Sequence, residues 1–200
     1  MTVRYAVEGD TDAPVAERII ASVKRVPLQT LVAGGKSRLD PKLPGYNVAA
    51  SLSPWLVLRD LDTDAACAGE LVRILLNGAT LATGMALRVP VRSVEAWLLA
   101  DHDGLARFFA LRVGGLPQHP DTLDQPKRAL IDLCRGSRSR QVRDGMVPRI
   151  GSGRDVGPLY VALVSEFARD HWDLERARVV SPSLERALSH VDRLVAGGAW

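Results

Sequence analysis

Cysteine is scarce in this sequence: Cys67 and Cys134 are the only two in 200 residues, and neither has the paired spacing of a zinc site or redox motif. A disulfide framework is thereby excluded as the basis of the fold, and a reducing compartment fits. Long apolar runs are missing as well, since no stretch approaches the roughly 18 residues of a membrane-spanning helix. Before Glu8 there is no room for the apolar core of a signal peptide, so a cytoplasmic chain without a membrane anchor is expected. Charge of one sign is not in large excess. A formal net charge of +3 is too small to argue for a nucleic-acid partner by itself, and only its distribution can do so. The histidines His102, His119, His171 and His190 are scattered, with no His-x-x-x-His pair. No Gly-x-Ser-x-Gly elbow occurs, which removes the commonest serine-hydrolase signal.

What is present is a 46% hydrophobic chain, enough for one full core with an elaborate appendage. Two acidic runs stand out, Tyr5-Ala6-Val7-Glu8-Gly9-Asp10 and Trp55-Leu56-Val57-Leu58-Arg59-Asp60-Leu61-Asp62-Thr63-Asp64. Each is a short apolar strand that stops on carboxylates, which is how an open α/β sheet presents ligand groups at its carboxyl edge. Strands are predicted over Val3 to Val7, Pro27 to Val32, Trp55 to Leu58 and Met85 to Val91. Helices are predicted after Pro14, from Ala66 to a stop near Asn77-Gly78, and after a Ser93 cap. Lys36 to Ala50 reads as a loop with short helical pieces. Such alternation calls for a mostly parallel four-stranded sheet flanked by helices. If Glu8 is to meet Asp60 and Asp62, strands one and three must be neighbours. Beyond Asp101 the spacing is helical over Leu105 to Leu111, Leu123 to Leu133, Leu159 to Asp170 and Leu184 to Val195, the last with Ser181 as cap and Pro182 at the first helical position. The division expected is therefore an α/β core over 1–101 and a helical extension packed on it over 102–200, with an Arg-rich loop at 135–154.

The two acidic runs resemble the Toprim domain, the metal-binding module of topoisomerases, bacterial primases, small RNA-maturing nucleases and overcoming-lysogenization-defect nucleases. That family carries a Glu after its first strand and an Asp-x-Asp after its third, here Glu8, Asp60 and Asp62, with Asp64 extending the run. A looser likeness, in the stretch Glu95 to Asp101, is to Toprim-like families of bacterial genomes, some linked to phage defence. The resemblance implies a Toprim-like (Rossmann-like) α/β fold, a Mg²⁺ cofactor that Mn²⁺ can replace, and a nuclease acting on DNA or RNA, in a defence setting beside a separately encoded ATPase. In that picture Glu8 joins the metal shell or works as general acid or base. The oligomeric state is left open, a homodimer included.

Chemistry of the residues runs alongside. Converging carboxylates stay ionised only with a cation among them, and Mg²⁺ takes hard oxygen ligands, often from one or two carboxylates plus substrate phosphate. Asp60 and Asp62, two apart, would share a strand face and an ion. Asp10 and Asp12 could complete a second metal position. Asp12, ahead of Pro14, reads equally as a helix cap, and Asp64 reads first as a cap for the helix near Ala66. Glu95 suits the positive end of a helix dipole as well as a metal's surroundings. Lys36, after Gly34-Gly35, could touch a nucleic-acid phosphate, although the spacing fails the nucleotide-loop pattern. In the Arg-rich stretch, Arg138, Arg140 and Arg143 are candidates for neutralising phosphates, and the few aromatics near them give no sign of base stacking. Two rivals remain: a non-catalytic module of the same fold that binds nucleic acid or protein, and an enzyme for a small phosphorylated molecule. A deep narrow pocket over Asp60 would favour the small molecule, an open basic groove a polymer.

Overall fold

The computed structural model describes residues 2–197. Four parallel strands, β1 (Thr2–Val7), β2 (Val26–Val32), β3 (Trp55–Leu58) and β4 (Met85–Arg88), form one sheet in the order β2-β1-β3-β4. β1 and β3 are direct neighbours, with Ala6 opposite Val57 and Val7 opposite Leu58. They end side by side, and the residues that follow, Glu8 and Arg59-Asp60, emerge at the same edge. All four residues of β3 are buried, the pattern of a strand covered on both faces.

The faces carry different layers. Val3, Tyr5, Val7, Leu56, Leu58 and Ala86 point toward α1 (Asp12–Ser22), α5 (Val94–Leu99) and the C-terminal helices. Ala6, Trp55, Val57, Met85 and Leu87 face the short helices α2 (Lys36–Leu39) and α3 (Leu43–Ala49), through Leu39, Leu43 and Ala50. Tyr46 stacks on Trp55 at 4.7 Å there. The next helix, α4 (Ala68–Leu76), stops where Asn77 turns left-handed, a conformation that Asn tolerates better than most residues.

After α5 come α6 (His102–Phe108), α7 (Pro126–Arg135), α8 (Arg140–Met146), α9 (Tyr160–Glu166) continued by a wide turn over Phe167–His171, α10 (Leu174–Val180) and α11 (Pro182–Gly197). α11 buries Leu184, Ala187, Leu188, Val191, Leu194 and Val195, the one-sided stripe that its helical spacing predicted. Ser181 caps it, its Oγ accepting from Leu184 N at 3.2 Å. Asp101, fully buried, caps α6 through Gly104 N and ties α10 down by accepting from Asp173 N and the Arg176 guanidinium. In the stretch Glu95 to Asp101, Trp97, Leu98 and Leu99 are core, and the Trp97 indole donates to Ser183 Oγ at 2.7 Å. The stretch expected as a loop over 135–154 contains α8, because Val142, Gly145 and Met146 turn inward against the core.

Candidate functional site

Asp60 lies at the centre of the acidic edge. The β3 strand ends at Leu58, so Asp60 and Asp62 do not alternate along a strand as expected. They sit in a turn where Asp62 adopts a positive φ of 47° and its N–H bonds to Arg92 O at 2.9 Å. The half-buried Asp60 accepts from Val94 N, at the start of α5, at 3.1 Å. Its carboxyl is held well above the usual range, first by burial and then by the charges of Asp12, Glu95, Glu8 and Asp62.

Asp12, Glu95 and Glu8 form an inner group with Asp60. Asp12 is 4% exposed and does not cap α1: Thr11 holds the cap position, while Asp12 Oδ2 accepts from Gly9 N at 2.8 Å. Burial, then Glu95 and Glu8, push it up to about 7. Glu95, 1% exposed, accepts from Tyr160 OH at 2.6 Å and Ser93 Oγ at 2.5 Å, with Lys127 Nζ at 3.6 Å. The Ser93 hydroxyl is thus spent on Glu95, not on capping α5. Helix dipole alone does not account for a buried glutamate with three partners. Glu8 has a buried Oε2 with no hydrogen-bond donor. Its nearest cation is Arg59 at 3.7 Å, and burial pushes its carboxyl up, against the pull of Arg59.

The outer acids are already paired. Lys36 Nζ lies 3.1 Å from Asp62 and 2.7 Å from Asp64, so its charge is engaged at the mouth of the site. Arg59, 2% exposed, reaches Asp64 at 2.5 Å, Asp40 at 2.9 Å and Glu8 at 3.7 Å, and also donates to Asp60 O. Asp64 is therefore an ion-pair partner and not a helix cap; Cys67 precedes α4, with no capping side chain. Asp10 is exposed beside the inner group in sequence. Of the arginines, Arg140 pairs with Asp144 and Arg143 donates to Ser137 O, while Arg138 is held by its backbone N–H on Ala110 O. None of the three lines the cleft over Asp60.

That cleft has a volume of about 530 Å³. Lys36, Asp60, Asp62, Ser93, Lys127 and Arg128 are among the residues that line it. Lys127, Tyr160 and Arg59 belong to the site although nothing in their spacing marks them. Lys127 simply follows Pro126 at the start of α7, and its pKa is raised chiefly by Glu95, then by Asp60 and Asp12, against burial.

No family model, no curated protein and no solved structure matches the chain. The Toprim resemblance rests on the residues named above.

A divalent cation suits this donor set. The inner group offers hard carboxylate oxygens, and Glu8 holds a buried oxygen with no donor. Among the described residues no group of three or more His, Cys, Asp or Glu side chains is arranged to hold a metal ion. Mg²⁺ does not require one, since it keeps waters and substrate oxygens in its shell.

Proposed function

We propose that the chain is a Mg²⁺- or Mn²⁺-dependent phosphoesterase of Toprim type acting on DNA or RNA. One observation carries this reading: Glu8, Asp12, Asp60 and Glu95 converge at the sheet's carboxyl edge, with three of them pushed toward protonation by burial and by neighbouring carboxylates. A structural salt-bridge network has no use for so many acids around one lysine, whereas a cation-binding site does. Asp60 and Glu8 would hold the ion, with Asp12 and Asp62 beside them. When bound, it offsets the charge that develops on the phosphoryl oxygens.

The chain's own groups supply the rest. Glu8, whose carboxyl burial pushes up, would take or return a proton at the attacking or leaving oxygen. Lys127 faces the cleft and contributes a fixed positive charge for a non-bridging phosphate oxygen. Tyr160 and Ser93 hold Glu95, and Glu95 in turn orients Lys127. Arg59 keeps Asp64 and Asp40 occupied and away from the inner group.

The test is cleavage of labelled single- and double-stranded DNA and RNA with Mg²⁺ or Mn²⁺. Asp60→Ala and Glu8→Ala are each expected to lower the rate on the order of 100-fold or more. Metal-dependent cleavage untouched by both substitutions would sink the assignment. A second reading, a small phosphorylated substrate, is favoured by the size of the cleft, which falls in the usual ligand-pocket range of roughly 300–1,000 Å³. Turnover of mononucleotides or aryl phosphates with no activity on oligonucleotides would decide for it.

A further inference from the structure

Away from the acidic edge, Arg88 is influenced by two other arginines and by no carboxylate among the described residues. Arg88 closes β4, and Arg186 and Arg193 are exposed on α11, four and three positions from His190 and on the same side of the helix. The half-buried Arg88 guanidinium lies 2.8 Å from His190 Nδ1, and its Nε is buried with no partner. The charges that bear on Arg88 are those of Arg186 and Arg193, which after burial push its pKa down, and His190 is pushed down in turn by burial, Arg88 and Arg193. Like charges held together in this way call for an anion.

The hollows between this group and Asp60 adjoin one another through shared lining residues. A cavity of about 260 Å³ bounded by Arg88, Ser183 and Arg186 shares Gly69 and Arg186 with one of about 470 Å³. The larger one shares Arg92 and Asp124 with the cleft over Asp60. Two acids line the middle hollow. Asp121 is occupied by Ser181 Oγ at 2.7 Å and Ser183 N at 2.8 Å. Asp124, 93% exposed, faces Arg92 at 4.0 Å. The path therefore runs from Lys127 past Arg92 to Arg186 and Arg88 with cations at intervals.

We infer that this path is the track of a nucleic-acid strand, with one phosphate at Asp60 and the phosphates on one side of it seated at Arg92, Arg186 and Arg88. The inference rests on the proposed function and extends it. A small phosphorylated molecule would fill the first hollow only, whereas successive cations match a polymer that repeats its charge. Nothing in the local sequence around Arg88 marks it, because its partners lie about a hundred positions further along the chain.

Binding separates the track from the chemistry. The Asp60→Ala protein, with and without Mg²⁺, is titrated against fluorescent single-stranded DNA and RNA oligonucleotides by anisotropy at several salt concentrations. Adding Arg186→Glu and Arg193→Glu is expected to weaken binding at least tenfold and to lower the salt slope by about 1 or more. Arg186→Gln with Arg193→Gln should give a smaller loss in the same direction. Arg107→Glu with Arg112→Glu, the same charge change on exposed residues elsewhere, should leave affinity within about twofold. Circular dichroism checks that each variant is folded. No binding by the parent protein, an unchanged affinity in the Arg186/Arg193 variant, or an equal loss in the Arg107/Arg112 variant would overturn the track. Binding lost as expected, in a wild-type protein that cleaves nothing with any metal, would support the track and sink the catalytic reading alone.

Discussion

Arg59 is an internal counter-ion. It is 2% exposed and lies within salt-bridge distance of Asp40, Asp64 and Glu8, a planar fork arrangement that lysine could not reproduce. Arg59→Met would leave those acids facing one another. Removing one partner of a buried pair costs about 3–5 kcal/mol, but Asp40 and Asp64 keep 29% and 27% exposure, so about 2 kcal/mol is expected, read as a lower urea midpoint. Asp12 gives stability a pH dependence. Its carboxyl moves from 3.8 to about 7 on folding, so the folded chain retains a proton that the unfolded chain releases. That contribution is complete below about pH 4 and drains away as pH rises to about 7. Burial moves Glu8 and Asp60 in the same direction. Metal-free protein is thus expected to show a higher urea midpoint at pH 5 than at pH 8. Asp12→Asn, which keeps an acceptor for Gly9 N, should shrink that difference, and Mg²⁺ should recover stability at pH 8. Equal midpoints at the two pH values, with or without the substitution, would contradict the burial of an acid cluster.

Among the elements, those whose faces are settled by apolar burial were legible in advance. β3 spans Trp55–Leu58 as expected, because all four side chains are buried, and α11 follows its stripe and its Ser181 cap. The adjacency of β1 and β3, required for Glu8 to approach Asp60, is present. The turn after β3 was not legible. Strand alternation was extended into residues that leave the strand, and the positive φ of Asp62 depends on a backbone bond to Arg92, some thirty residues away. Charge was hardest to read. Lys36 and Asp64 find each other across the site, and α8 forms in the Arg-rich stretch because its apolar residues pack inward. The arginines that gather around Arg88 are scattered in sequence, so composition windows pass over them.

For the whole molecule, position 101 does not divide the core. One hydrophobic cluster contains Val3, Tyr5 and Leu56 from the sheet, Trp97 from α5, and Phe109, Val164, Leu188 and Val195 from beyond it. A fragment of residues 1–101 would expose the face that these later side chains cover, at about 1.5–3 kcal/mol for each large side chain left uncovered. It is expected to lack a cooperative urea transition, while the full chain unfolds in one step by both fluorescence and circular dichroism. Two separate transitions in the full chain would refute this. The sixteen-residue α11 touches α1, α10 and β4, elements from the start, the end and the middle of the chain. During synthesis, then, β4 and α1 keep part of their inner surfaces bare until the α11 segment has emerged from the ribosome. Until then the nascent chain offers chaperones an apolar face that the folded protein hides.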